Sequence, residues 1–213
     1  MTDKLDAKVD RDSYQATRGQ FRILEVPVMQ YLVVDGQGDP NTSAHYREAV
    51  NALYPVAYAM KFASKQHLGR DYVVPPLEGL WWARDMEAFT LSRDKSQWDW
   101  TMMIMAPEWI DRSHYEQALA KVGAKDPPVR LGEVRLESLS EGLCVQTLHV
   151  GSYDDEAPVL AALHEEFIPS NGLRMTGKHH EIYLSDPRKV TADKLRTILR
   201  QPVQHVLRRD RTR

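Results

Sequence analysis

The chain has little of what extracellular, membrane-spanning or nucleotide-binding proteins need. Its single cysteine, Cys144, cannot form a disulfide within the chain. No apolar run approaches the roughly 20 residues that a membrane-spanning helix requires. Residues 1–20 are charged and have no apolar core, so they do not resemble a signal peptide. These absences predict a cytoplasmic protein without a membrane-spanning segment.

Charge and motif content argue against further classes. The formal net charge of -2 gives no electrostatic reason to expect a nucleic-acid partner. Residues 36–38 (Gly-Gln-Gly) lack the third glycine of a dinucleotide fingerprint, and neither a phosphate-binding loop nor a Gly-x-Ser-x-Gly elbow occurs. Residues 179–181 (His-His-Glu) are adjacent, but neighbouring strand residues diverge, and no second cluster completes a coordination shell. The sequence therefore predicts no cofactor and no metal ion.

What the chain does contain is enough apolar material for a sizeable core. Over 213 residues, hydrophobic residues make up 42% and charged residues 27%, which is typical of soluble domains. Residues 1–17 alternate charges with almost no apolar periodicity, so we expect a flexible N-terminal arm. Residues 18–206 are expected to form one domain, and residues 207–213 a basic tail.

The order of predicted elements repeats along the chain. Two extended segments precede a helix over residues 41–60, for which Ser43 is a candidate cap and Pro55 predicts a kink near Asn51. Strands follow this helix. The second half has two strands, a helix over residues 154–168 and two more extended segments.

This order predicts a duplicated strand-helix-strand-strand unit. The two repeats would comprise about residues 18–123 and 124–206, and duplicated units commonly meet at a pseudo-two-fold axis. A central groove on that axis, with one helix on each side and strands as its floor, is where we expect a ligand.

Two predicted strands carry a carboxylate among apolar and aromatic residues, which is costly unless something uses its charge. Alternate strand residues share a face, so Glu181 and Tyr183 point the same way. Glu78 and Trp82 point to the same face of their strand, because an even number of residues separates them. Trp82 rather than Trp81 is therefore the predicted groove residue. Glu181 could equally pair with a nearby basic side chain, and Tyr183 could simply pack with its hydroxyl at the rim.

Other aromatic residues supply the remaining predicted contacts. Trp100 lies on an alternating strand, and a cation over an indole ring gains about 0.5 to 2 kcal/mol. Tyr54 and Tyr58 are four residues apart on the first helix and could form a wall of the groove. Against this, an aromatic stripe on a sheet is more often core than site, and the two tyrosines could be ordinary surface.

Several segments together resemble the GyrI-like small-molecule-binding family, whose fold is also that of the effector domain of some AraC-type regulators. They are residues 75–82 (PPLEGLWW), 98–107 (WDWTMMIMAP), 151–156 (GSYDDE), 180–187 (HEIYLSDP) and 195–202. The resemblance extends from about Gly19 to Val206. It implies one duplicated α+β domain with an eight-strand antiparallel sheet, two main helices on one face and a groove for bulky aromatic, often cationic compounds. No helix-turn-helix segment flanks the domain, so we do not expect a transcription regulator.

These patterns lead to three functional hypotheses. The leading one is a multidrug-binding protein that binds bulky aromatic, often cationic small molecules through Glu78, Trp82, Trp100, Tyr54, Tyr58, Glu181 and Tyr183. The first alternative is a detoxifying hydrolase, since some free-standing members of the family open cyclopropane-bearing genotoxins; Glu181 would be the general base and Tyr183 would polarise a carbonyl. The second alternative is a module whose groove binds a peptide or protein. The oligomeric state is not predicted.

Overall fold

The computed structural model describes residues 4–83 and 95–206. Within them, nine strands form an antiparallel sheet, which confirms the predicted α+β class. The strands are β1 Arg22–Val26, β2 Met29–Gln37, β3 Leu77–Ala83, β4 Trp98–Ala106, β5 Arg135–Leu139, β6 Gly142–Val150, β7 Leu173–Met175, β8 His179–Tyr183 and β9 Arg196–His205. The expectation of eight strands missed β7, whose three residues are too few to show an alternating pattern.

The helices are α1 Ala7–Asp10, α2 Ala44–Ala63, α3 Arg112–Gly123, α4 Ala157–Ala161 and α5 Ile168–Ser170. A π-helical segment, Ala162–Phe167, joins α4 to α5, and we call residues 157–170 the second-repeat helix. Ser43 caps α2, as predicted, by accepting a hydrogen bond from the backbone of Tyr46. The helix continues through Pro55, because Pro55 and Asn51 are both exposed and water can satisfy the free carbonyl. None of the described helices is long and apolar enough to cross a membrane.

The strand order shows how the two repeats are joined. Eight strands run in the order β1-β6-β9-β8-β3-β4-β2-β5, and β7 pairs with β9 outside this path. The central neighbours β3 and β8 come from different repeats, and the order on either side of them is mirrored. β1 pairs with β6 of the second repeat, and β5 pairs with β2 of the first. Each repeat therefore contributes its first strand to the other half of the sheet.

The main helices lie on one face of this sheet, as predicted. α2 packs on apolar residues of β2 and β4, and the second-repeat helix packs on Val145 and Val203. Directly opposed residues of antiparallel strands point the same way. The register across the sheet places Leu32, Glu181 and Thr147 on one face. Both helices therefore pack on the same side of the sheet. We call this side the helix face and the opposite side the arm face.

The N-terminal arm is the main departure from the predicted domain plan. Residues 5–18 pack against the body instead of forming a flexible arm: Leu5 bridges to Tyr72, and Arg18 bridges to Leu148. Tyr14 is 1% exposed on the arm face. The buried ring of Tyr14, isolated backbone bridges, and hydrogen bonds from Gln146 and Arg200 to carbonyls of the arm hold it in place. None of these contacts produces the apolar periodicity used for prediction. Residues 1–3 of the predicted arm and the basic tail, residues 207–213, lie outside the described residues.

Candidate functional site at the seam of the two repeats

The two central strands bring one acidic and two aromatic side chains together on the helix face. In the β3–β8 pair, Gly79 lies opposite Glu181, and Trp81 lies opposite His179. Opposed and alternate residues share a face, so Trp81, Glu181 and Tyr183 all point toward the helices. We call these three residues the seam site. The prediction that Glu181 and Tyr183 share a face is confirmed by this register.

A chain of two hydrogen bonds connects the seam site. The indole Nε1 of Trp81 donates to the hydroxyl of Tyr183 at 3.0 Å, and that hydroxyl donates to Glu181 Oε2 at 2.8 Å. Gly79 leaves room for this arrangement, because a Cβ there would lie 2.7 Å from Trp81 Nε1 and 3.2 Å from the hydroxyl of Tyr183. The small residue in the middle of β3 therefore allows the two rings to meet over the strand.

The carboxylate of Glu181 lies among tyrosine hydroxyls. Burial raises the pKa of Tyr46, Tyr153 and Tyr183, and the negative charge of Glu181 raises each pKa further. For Tyr153 the pKa rises to about 12, so all three phenols remain protonated and able to donate at neutral pH. Glu181 is 9% exposed. An acidic oxygen in so dry a setting interacts with a cation or a water molecule more strongly than it would in bulk solvent.

Two histidines lie beside the seam site. His179 Nε2 is 3.6 Å from Glu181 Oε1, and its ring meets that of His164 edge-on with centroids 5.8 Å apart. Burial, the larger cause, and the nearby His179 together lower the pKa of His164 to about 3. His164 is therefore neutral at physiological pH.

Aromatic rings surround the seam site from both repeats. Tyr46 of α2 stacks on Trp81 with centroids 6.3 Å apart, and Trp98 meets Trp81 edge-on at 5.7 Å. Tyr153, which precedes the second-repeat helix, meets Tyr183 edge-on at 5.6 Å. Tyr46, Tyr153 and Tyr183 each keep part of their surface exposed. Partly exposed aromatic surface from both repeats therefore borders the seam site.

Trp100 was predicted to contact a ligand, but the structure places it in the core. It is 0% exposed and donates its indole N–H to the carbonyl of Gly38 at 3.2 Å. Its ring lies so close over Gly36 that a Cβ there would come within 2.0 Å of it. Trp100 meets Tyr46 edge-on at 5.4 Å. Its burial means that it supports Tyr46 from below and cannot touch a ligand directly.

Tyr54 and Tyr58 stack on each other along α2, with centroids 6.4 Å apart. Tyr54 is half-buried against the core, and burial raises its pKa, with a further contribution from the charge of Asp186 beyond β8. Tyr58 is 48% exposed. Their role as a wall of the groove stays a prediction, and Tyr54 is the better placed of the two.

Glu78 and Trp82 lie on the arm face, so their predicted grouping with Glu181 is wrong. Glu78 is 0% exposed; it accepts a hydrogen bond from Tyr14 at 2.5 Å and lies 2.9 Å from His180 Nε2. The alternation along β3 correctly predicted that Glu78 and Trp82 share a face. It is the register across β3 and β8 that puts Gly79, and not Glu78, opposite Glu181.

Sequence reasoning missed three residues beside Glu181: Tyr46, Trp81 and Tyr153. One indication of Trp81 was available in the sequence. A glycine inside an aromatic strand often marks a close approach of side chains, and Gly79 lies on the same face of the strand as Trp81. In the part of the chain that the structure describes, no group of three or more His, Cys, Asp or Glu side chains is arranged to hold a metal ion.

Solved structures with the same fold include proteins of both high and low sequence identity to this chain. An uncharacterized conserved protein from Listeria innocua is 40% identical, and the match covers 94% of this chain and 100% of that chain with a TM-score of 0.86. A protein named as a hydrolase from the same organism is 37% identical with the same coverage and a TM-score of 0.82. The EcmrR C-terminal domain shares the fold at 12% identity and a TM-score of 0.55, over 88% of this chain and 98% of that domain.

A search of curated proteins found no match to the chain. The sequence model of the family described as GyrI-like small molecule binding domain matches residues 19–204, which include both repeats and every residue of the seam site. The chain belongs to the GyrI-like small-molecule-binding family.

Proposed function

We propose that the protein is a hydrolase that binds bulky aromatic small molecules at the seam site and opens a strained, electrophilic ring in them. The observation that carries this proposal is the hydrogen-bond chain from Trp81 through Tyr183 to Glu181, at 3.0 and 2.8 Å, inside an aromatic and largely buried setting. Two solved relatives named as hydrolases, 37% and 38% identical over 94% of this chain, support the reaction class.

Binding would use the exposed parts of the aromatic rings. The planar part of the substrate lies against Tyr46 from one repeat and Tyr153 from the other. Each aromatic contact contributes about 0.5 to 1.5 kcal/mol beyond the buried area. Stacking then holds the reactive ring close to Glu181, and this positioning lowers the entropic part of the activation barrier.

The chemistry assigns one role to each member of the seam site. Glu181 takes a proton from water, and the water oxygen forms a bond to a carbon of the cyclopropane ring. The ring C–C bond breaks, and its electron pair moves through the conjugated system to a carbonyl oxygen. That oxygen takes a proton from the hydroxyl of Tyr183, which regains one from Glu181, so the proton removed from water ends on the product. Tyr183 polarises that carbonyl, turning its hydroxyl from Glu181 to the substrate. Trp81 donates into the oxygen of Tyr183 and thereby makes its O–H a stronger donor.

Binding without turnover is the second candidate. The family is defined by small-molecule binding, and the carboxylate of Glu181 among aromatic rings favours a cationic aromatic ligand. In this case Glu181 neutralises the charge of the ligand and activates no water.

Incubation with a cyclopropane-bearing aromatic alkylator separates the two candidates. With the wild-type protein, we expect the ultraviolet spectrum of the compound to change and its mass to increase by one water. Glu181→Gln should slow this change by about a hundredfold or more. Trp82→Phe is the matched control, because Trp82 lies on the other face of the sheet. An unchanged compound, with quenched tryptophan fluorescence as evidence of binding, would reject the hydrolase and leave the binder.

The binding candidate has its own test. A cationic aromatic dye and a neutral dye of the same shape are titrated against tryptophan fluorescence. Glu181→Gln should weaken the cationic dye about tenfold, because it removes the charge that pairs with it, and should leave the neutral dye nearly unchanged. Equal losses for both dyes would contradict a charge-based role of Glu181.

A further inference from the structure

A cavity of about 540 Å³ opens on the arm face of the sheet, within the volume range of small-molecule sites. Its floor is formed by side chains of β2, β3 and β4, and its rim by the β5–β6 turn and the loop before β8. The floor residues are Tyr31, Val33, Leu80, Thr101 and Met103. Leu80 alternates with Trp81 along β3, so the sheet itself separates this cavity from the seam site.

Most of the charges that line the cavity are already paired. The guanidinium of Arg135 lies between Asp35 Oδ2 at 2.7 Å and Glu137 Oε1 at 2.6 Å. Glu141, at the β5–β6 turn, accepts a hydrogen bond from Arg200 at 2.7 Å. These pairs satisfy the carboxylates in place.

Lys178 is the exception among the charged residues of the lining. Its ammonium lies over the ring of Trp82, 3.2 Å from the ring centroid. No carboxylate of residues 4–83 or 95–206 forms an ion pair with it. The side chain is half-buried, and burial lowers the pKa of Lys178, although the charges of Asp35 and Asp99 oppose this effect. A partly desolvated cation without a counter-ion is a favourable partner for an anion.

We propose that this cavity binds a small organic anion with a flat apolar body, such as an aromatic carboxylate or sulfonate. The acidic group of the ligand pairs with Lys178, and its apolar body lies on Tyr31, Leu80 and Met103. This site is independent of the seam site, because the sheet lies between them.

Calorimetric titration with three probes of one shape tests the charge preference. The probes are naphthoate, neutral naphthamide and cationic naphthylmethylamine. We expect the wild-type protein to bind naphthoate about tenfold more tightly than naphthamide, the difference that one charge-assisted hydrogen bond supplies. Lys178→Met, which keeps the length of the stem, should reduce naphthoate binding to the level of naphthamide. Lys121→Met, an identical charge change on the exposed side of α3, should bind like the wild type.

Two further variants keep the proposal falsifiable. Glu181→Gln should leave the naphthoate affinity unchanged, which separates this site from the seam site. Thr176→Trp, at the rim of the cavity, should block naphthoate even if Lys178→Met fails to fold, and thermal melts identify that failure. The proposal is overturned if the cationic probe binds best, if folded Lys178→Met retains naphthoate binding, if Thr176→Trp does so, or if no probe binds the wild type at millimolar concentration.

Discussion

The indole nitrogen of Trp81 lies 3.0 Å from the hydroxyl oxygen of Tyr183, and this hydrogen bond crosses from the first repeat to the second. Trp81 belongs to β3, and Glu181 and Tyr183 belong to β8. Neither repeat alone contains the complete seam site. The pairing of these two strands is therefore the structural condition for the proposed function.

Removing single groups from the hydrogen-bond chain should lower the rate of ring opening in a graded way. Tyr183→Phe removes the hydroxyl that polarises the substrate and should reduce kcat/KM by about a hundredfold. Trp81→Phe keeps an aromatic ring but removes the donor to Tyr183, so we expect a loss of about tenfold. Steady-state kinetics with the alkylator measures both values. A larger effect of Trp81→Phe than of Tyr183→Phe would contradict the proposed order of groups in the hydrogen-bond chain.

Replacing Gly79 should disturb the seam site without removing any of its groups. The added methyl of Gly79→Ala would lie 2.7 Å from Trp81 Nε1, so the indole must shift. We expect a loss of about 1–3 kcal/mol in the free energy of unfolding together with weaker ligand binding. Gly132→Ala is the matched control, because a Cβ there has no atom within 4 Å. Urea denaturation and dye titration measure the two effects, and equal stability of the two variants would count against the predicted clash.

Stability should depend on pH through the buried ion network on the arm face. His180 Nδ1 and Nε2 each lie 2.9 Å from a carboxylate oxygen, of Glu141 and Glu78 respectively. Burial alone would lower the pKa of His180, but the two carboxylates outweigh it and raise the pKa. Burial alone would raise the pKa of Glu141, but His180 and Arg200 outweigh it and lower the pKa to about 2. The network therefore favours a charged imidazole and a charged carboxylate.

The two shifts place this stabilisation in a defined pH window. The contribution of His180 is fully present below its usual pKa of 6.5 and is lost as the pH rises through the raised value. The contribution of Glu141, on the order of 3 kcal/mol, is present above 4.5 and is lost as the pH falls toward 2. The free energy of unfolding should therefore be highest between these limits. His180→Gln should flatten the alkaline decline, and exposed His45→Gln should not; unchanged alkaline behaviour in His180→Gln would contradict this assignment.

Tyr14→Phe should loosen the N-terminal arm. The substitution keeps the buried ring but removes the hydroxyl that donates to Glu78 at 2.5 Å. A buried carboxylate that loses one donor costs about 1–3 kcal/mol. We expect a lower free energy of unfolding and faster proteolysis within residues 4–17. Tyr58→Phe, on the exposed surface of α2, is the control, and equal effects of both variants would mean that the bond to Glu78 does not hold the arm.

Local patterns predicted much of the fold. The alternating pattern around Trp100 correctly predicted the strand β4, and Ser43 was correctly identified as the cap of α2. These features depend on neighbours within a few residues. The packed arm was not predictable in this way, because Tyr14 is held by Glu78, which is 64 residues away.

The seam site was predicted only in part for the same reason. Parity showed that Glu181 and Tyr183 share a face, but it could not decide which face of β3 meets them. That choice depends on the register between strands about a hundred residues apart, which places Gly79 opposite Glu181. Trp82 was therefore predicted to lie beside Glu181, but Trp81 occupies that position. Adjacent residues on a strand are separated by the whole sheet, so an error of one residue moves a side chain to the opposite surface.

Because β1 and β5 each pair with a strand of the other repeat, the two halves of the protein are interlocked. Arg22 aligns with Gln146, and Leu32 with Leu136. If either half unfolds, the other half therefore loses its edge strand. We expect one cooperative transition on denaturation, with coincident midpoints for tryptophan fluorescence and circular dichroism. Refolding should be slow for a chain of this size, because such distant partners must meet before either half is complete.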